Sequence, residues 1–72
     1  MSTADLADRY PHGTTVVLKR ILSTDTESKK FLSSYLGQEA TVIGWGMNRD
    51  RADLLVEFGD KEKTWLREGE IE

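Results

Sequence analysis

From Gly37 onward the chain is cut into short runs by glycines at positions 37, 44, 46, 59 and 69, and within the runs apolar and polar residues alternate with a period of two. Runs of this length and period form short β-strands joined by tight turns, and leave no room for long helices. Glu39 to Trp45 reads as a strand with Ala40, Val42 and Gly44 on one face and Thr41, Ile43 and Trp45 on the other. Gly46-Met47-Asn48-Arg49-Asp50-Arg51 follows as a polar loop. Ala52 to Phe58 is the next strand, its Leu54, Val56 and Phe58 alternating with Asp53, Leu55 and Glu57. Gly59-Asp60-Lys61-Glu62 makes a turn, with glycine and aspartate supplying the unusual backbone angles. Lys63 to Arg67, centred on Trp65, is a further strand, and Glu70-Ile71-Glu72 adds a brief last one after a corner at Glu68-Gly69.

The first half of the chain is organised differently. Thr14 to Leu22 is rich in β-branched residues, with Val16, Leu18 and Leu22 on one face, and forms the first strand. Between Ser23 and Gly37 the period changes. Phe31, Leu32, Tyr35 and Leu36 recur at helical spacing, Thr24-Asp25-Thr26-Glu27 matches a capping box, and Gly37 sits where a left-handed cap belongs. Residues 1–12 read as a flexible N-terminal segment: a frayed helical turn over residues 2–9, capped at Ser2 or Thr3, then a breaker at Tyr10-Pro11-His12-Gly13. Closure is the favoured way to remove unpaired edges from so small a sheet. The expected fold is therefore all-β: an SH3-like five-stranded barrel over residues 13–72, with a short helix inserted between strands 1 and 2.

Composition narrows the function. A chain of 72 residues buries only about 60% of the surface its unfolded form exposes, which allows one modest core and no deep enclosed cleft. There is no cysteine and one histidine, so disulfides, thiolate chemistry, most zinc sites and histidine-based triads are excluded within one chain. A formal charge of −3 disfavours nucleic acid, whose phosphates reward basic surfaces. No apolar run approaches the length of a membrane span, and Met1-Ser2-Thr3-Ala4-Asp5 lacks the pattern of a signal peptide. The expectation is a soluble intracellular module that is not an enzyme. Charge is uneven along it: residues 1–52 hold seven bases and six acids, residues 53–72 three bases and seven acids. That acidic end is either a solubilising surface or an edge presented to a partner.

Individual motifs carry little chemistry. His12 has no carboxylate fixed beside it. Gly44-Trp45-Gly46 is not a dinucleotide fingerprint, because the third glycine and the following helix are missing; glycines around a tryptophan in a strand mark a bulge or a close backbone approach. Glu68, Glu70 and Glu72 would share one face of a strand, but a hard cation needs more oxygens. Asp50 and Asp53 lack calcium-loop spacing, and the serines lack a nucleophile elbow. Lys29 and Lys30 give the helix a basic face, too weak to hold a membrane alone; its apolar stripe covers one end of the barrel. The informative cluster is Trp45, Met47, Arg49, Arg51 and Trp65, because tryptophan, methionine and arginine are enriched where one protein docks on another.

The stretches Leu36-Gly37, Ala40 through Met47, Leu55-Val56-Glu57-Phe58 and Thr64 through Glu72 resemble the PetP family of small SH3-like peripheral subunits of the cytochrome b6f complex, found in cyanobacteria and red algae. The likeness runs from about Gly13 to the C-terminus. Its most specific parts are the glycine-aromatic-glycine-methionine step at 44–47 and Thr64-Trp65 followed by acids. The chain departs from the family pattern at Leu66-Arg67, where many members carry aromatics, and at the charged loop 48–52. The resemblance implies a cofactor-free, non-catalytic accessory subunit. It would be monomeric when free and peripheral on the cytoplasmic (stromal) face of the thylakoid membrane, docked on a membrane electron-transfer complex and modulating electron flow. Other photosynthetic SH3-like subunits share the plan: those of photosystem I, of the NAD(P)H dehydrogenase-like complex, and the variable chain of ferredoxin–thioredoxin reductase. A small nucleic-acid-binding barrel is the alternative from another class. Docking is expected through loop 45–51, with Arg49 and Arg51 pairing acidic groups and Trp45 giving apolar contact.

Overall fold

The computed structural model describes residues 3–72; the capping candidate Ser2 lies outside the described residues. In chain order the elements are helix α1 (Thr3–Arg9), strand β1 (Thr15–Val17), helix α2 (Thr26–Ser33), strands β2 (Glu39–Asn48), β3 (Arg51–Phe58) and β4 (Lys63–Leu66), and a 3-10 turn at Glu68–Glu70. The four strands form one antiparallel meander in the order β1-β2-β3-β4, curled into a half-barrel.

The fifth strand of the expected barrel is not formed. Ile71 makes a single bridge to Leu18, flanked by hydrogen bonds from the Val17 N–H to the Glu72 carbonyl (3.2 Å) and from the Glu72 N–H to the Val17 carbonyl (3.0 Å). The 3-10 turn takes in Glu70, the first residue of the expected strand, and Ile71 follows it as an isolated bridge. The fold is mostly β with two short helices, rather than all-β. Strand 1 is also shorter than its β-branched run: after Leu18 the amides of Lys19 and Arg20 donate to the Glu70 carbonyl, and Leu22 is exposed.

β2 is longer than its sequence run, and the expected loop 46–51 is a tight hairpin. Asn48 pairs with Arg51, leaving Arg49 and Asp50 as a two-residue turn with Arg49 left-handed at φ 62°. In the β3–β4 turn the left-handed residue is Lys61 (φ 75°), not Gly59.

Helix α2 starts at Asp25, whose carboxylate accepts from the Ser28 N–H (3.0 Å); Asp25 rather than Thr24 is the cap. Leu32 enters the core, and Tyr35, just beyond the helix, stacks on Phe58 with centroids 4.2 Å apart. Gly37 is left-handed (φ 85°) and its N–H donates to the Leu18 carbonyl, returning the chain to the sheet. The core is built from the sheet residues Val16, Leu18, Val42, Leu54, Val56, Phe58, Leu66 and Ile71, joined by Leu32 and Leu6. Leu6 comes from the segment expected to be flexible: α1 packs over β2 and β3 with Leu6 fully buried.

Candidate docking surface

The geometry of this surface begins at a register shift. Val42 pairs with Val56 but Gly44 pairs with Leu55, so Ile43 is an extra residue in β2. Because side chains alternate faces, one inserted residue reverses the parity of everything after it. Trp45 now pairs with the buried Leu54 and turns toward the core, where its indole N–H donates to the Tyr10 carbonyl (2.9 Å). Trp45, expected to offer apolar contact to a partner, is a half-buried strut between β2 and the chain after α1.

The same inversion sends Gly44 and Gly46 to the outer face. Trp65 of β4, paired with Leu55, lies on that face and uses the space they leave. A Cβ on Gly46 would stand 2.8 Å from Trp65 Cη2, inside contact distance, so only glycine lets the indole lie against the strand. The indole is held there yet 50% exposed, and Met47 is 54% exposed. Together with Gly46 and Asn48 they line a cleft of about 270 Å³.

Asn48 also lines an adjoining cleft of about 430 Å³, with Arg49, Asp50, Arg51 and Arg67. Arg51 Nε donates to Asp53 Oδ1 (2.9 Å) and Nη2 to Oδ2 (3.4 Å), and this hydrogen bonding raises the Arg51 pKa. Asp53 is only 3% exposed, so Arg51 serves first to neutralise it. Among the described residues, the guanidinium groups of Arg49 and Arg67 form no salt bridge. Of the five residues singled out from the sequence, Met47 and Trp65 line one cleft, Arg49 and Arg51 line the one beside it, and Trp45 packs half-buried against the core. Arg67 was missed, although it follows Trp65 by two positions and so shares its face in an extended chain.

The three C-terminal carboxylates do not converge. Glu68 pairs with Arg9 and accepts from the Tyr10 hydroxyl (3.3 Å). Burial, then the charge of Glu68, pushes the Tyr10 phenol above its ordinary value. Glu70 is 3% exposed and accepts from the backbone N–H groups of Arg67 (2.8 Å) and Leu22 (2.9 Å). Glu72 pairs with Lys19, which holds its carboxyl below the usual range. Among the described residues no cluster of three or more metal-ligating side chains occurs. His12 sits exposed in the loop before β1, and Lys29 and Lys30 lie exposed on α2. No helix among the described residues is long and apolar enough to cross a membrane.

No protein-family model and no curated protein matches the chain. Among solved structures it is similar to the solution structure of the cyanobacterial cytochrome b6f complex subunit PetP, with a TM-score of 0.72 and 23% identity, covering 93% of this chain and 84% of that one. At that identity the likeness is one of fold.

Proposed function

We propose that this chain is an SH3-like accessory subunit that docks by protein–protein contact on a membrane electron-transfer complex of the cytochrome b6f type and modulates electron flow through it. The observation that carries this reading is the similarity of fold, over nearly the whole chain, to a cytochrome b6f subunit. The subunit sits peripherally on the cytoplasmic (stromal) face of the thylakoid and contributes neither catalysis nor a cofactor. Met47 and Trp65 provide apolar contact, Arg49 and Arg51 provide charge, and Trp45 holds β2 in place behind them. The interface is modest, and electrostatics set the rate of encounter more than the final affinity.

The test is association with isolated cyanobacterial cytochrome b6f complex stripped of peripheral subunits. Native gel electrophoresis should show the chain migrating with the haem-stained complex at low ionic strength, and losing that association progressively as salt is raised. Failure to co-migrate at low salt overturns the reading.

A further inference from the structure

We infer that the Met47–Trp65 cleft and the arginine cleft beside it form one groove, hinged at Asn48, that receives an acidic, extended segment of a partner polypeptide; this deepens the accessory-subunit reading and rests on it. The two clefts share Asn48 as a lining residue. The last residues of β2, from Gly46 to the turn at Arg49, run along them. At about 3.3 Å per residue in an extended chain that path is about 10 Å long, enough for three or four residues of an extended ligand. One end offers the half-exposed Trp65 side chain to an apolar group, with Met47 lining the same cleft. The other offers Arg49 and Arg67, while Arg51 is held on Asp53.

Charge selects the occupant. Arg49, Arg51 and Arg67 gather here on a protein whose formal charge is −3, and Asp50 is the one acid lining the cleft. An acidic segment is attracted to this groove and repelled by the acidic remainder, which fixes where it lands. Nucleic acid fits less well. It needs a basic track several phosphates long, and one of these arginines is already committed to a buried carboxylate. Trp65 already packs over Gly46, where a Cβ would stand 2.8 Å from its ring, so part of its side-chain freedom is spent before any contact.

The experiment is a titration of the isotope-labelled full chain, followed by NMR, with four probes. These are the hexapeptide Asp-Glu-Leu-Asp-Glu-Glu, the same peptide with serine for leucine, the same with lysine for every acid, and a thymidine octanucleotide. The acidic leucine peptide should move the Trp65 indole N–H and the Arg49 and Arg67 side-chain N–H resonances along one binding curve. The serine peptide should bind about fivefold more weakly and the lysine peptide should leave these resonances in place. Arg49→Gly keeps the left-handed turn, and Arg67→Gln keeps a polar side chain; each should weaken the acidic peptide about two- to fivefold. Gly46→Ala retains every charge but lifts the indole, so leucine should lose its advantage over serine. Met47→Ser tests the other wall without touching Gly46, and backbone spectra confirm that each variant is folded.

Tighter binding of the octanucleotide than of the acidic peptide overturns the proposal, as does peptide binding that leaves Trp65 and Arg67 unmoved. If isolated complex captures wild-type, Gly46→Ala and Arg67→Gln chains equally, the groove is refuted while the accessory-subunit reading stands. If the peptide fills the groove but no complex captures the chain, the groove stands and that reading falls.

Discussion

Glu70 joins two parts of the chain that local structure leaves apart. Its two carboxylate oxygens take the N–H groups of Arg67 and Leu22, and its own carbonyl takes those of Lys19 and Arg20. Read in sequence, Glu70 was one of three alternating acids; only the 3-10 turn rotates it inward while Glu68 and Glu72 stay with cations. Replacing it with alanine leaves two part-buried amide donors unsatisfied and should cost about 2–3 kcal/mol, read as a fall in the urea midpoint. Glu70→Gln keeps one acceptor and should recover roughly half of that loss. Gly44-Trp45-Gly46 shows the same limit. Both effects that flanking glycines signal, a bulge and a close approach, are present. Yet the alternation read from the sequence placed Trp45 on the wrong face, because a bulge one residue long reverses parity without changing composition.

At the scale of elements, α2 was legible because helix caps and periodicity are local. Phe31, Leu32, Tyr35 and Leu36 were grouped from spacing alone; Leu32 is buried, whereas Leu36 lies beyond the end of α2 at Ser33 and is exposed. The attachment of the helical segment to the barrel is not local. Tyr35 stacks between Phe31 and Phe58 and its hydroxyl donates to Asp60 in the β3–β4 turn. That hydrogen bond is the first cause of both shifts: the Tyr35 phenol is pushed up to about 12 and the Asp60 carboxyl is held below the usual range. A lowered carboxyl stabilises the fold above its unfolded pKa near 4 and stops doing so as pH falls through the folded value. A raised phenol stabilises it below its unfolded pKa near 10 and stops doing so as pH rises toward 12. The contact is therefore at full strength between about pH 5 and pH 10. Thermal midpoints across pH should decline at both ends, and Tyr35→Phe should flatten the profile at both. Absorbance at 295 nm should show Tyr35 ionising well above pH 10 in the native chain. The β2–β3 hairpin was read as a longer loop because its turn carries no glycine; Arg49 takes the left-handed backbone instead, a conformation that costs a non-glycine residue about 1 kcal/mol.

For the whole molecule, the main difference between sequence and structure is the N-terminus. Residues 1–12 read as flexible because so short a terminal helix has little stability alone. In the structure Leu6 is fully buried, Arg9 and Tyr10 engage Glu68, and the Tyr10 carbonyl accepts from Trp45. A half-barrel of four strands leaves one end open, and α1 covers it. Leu6→Ala should cost about 3 kcal/mol. In a chain of this size that is a large share of total stability, and it should lower the thermal midpoint by roughly 15 °C. Trp45 fluorescence should shift to the red as its indole N–H exchanges the Tyr10 carbonyl for water. Slow hydrogen exchange at the Tyr10 amide, which donates to the Leu6 carbonyl, would distinguish a docked helix from a flexible segment.

Period-two runs, glycine spacing and one helical window sufficed to specify a small antiparallel sheet and one helix between its first two strands. Residue type singled out Met47, Arg49, Arg51 and Trp65, which line two adjoining clefts. Those features are encoded between neighbours in the chain. The placement of Trp45, the reduction of the last strand to one bridge, the inward turn of Glu70 and the closure by α1 were decided only in three dimensions. Each depends on which distant segment supplies a partner for a backbone group or a cover for an apolar face, and the period of a sequence carries no record of that.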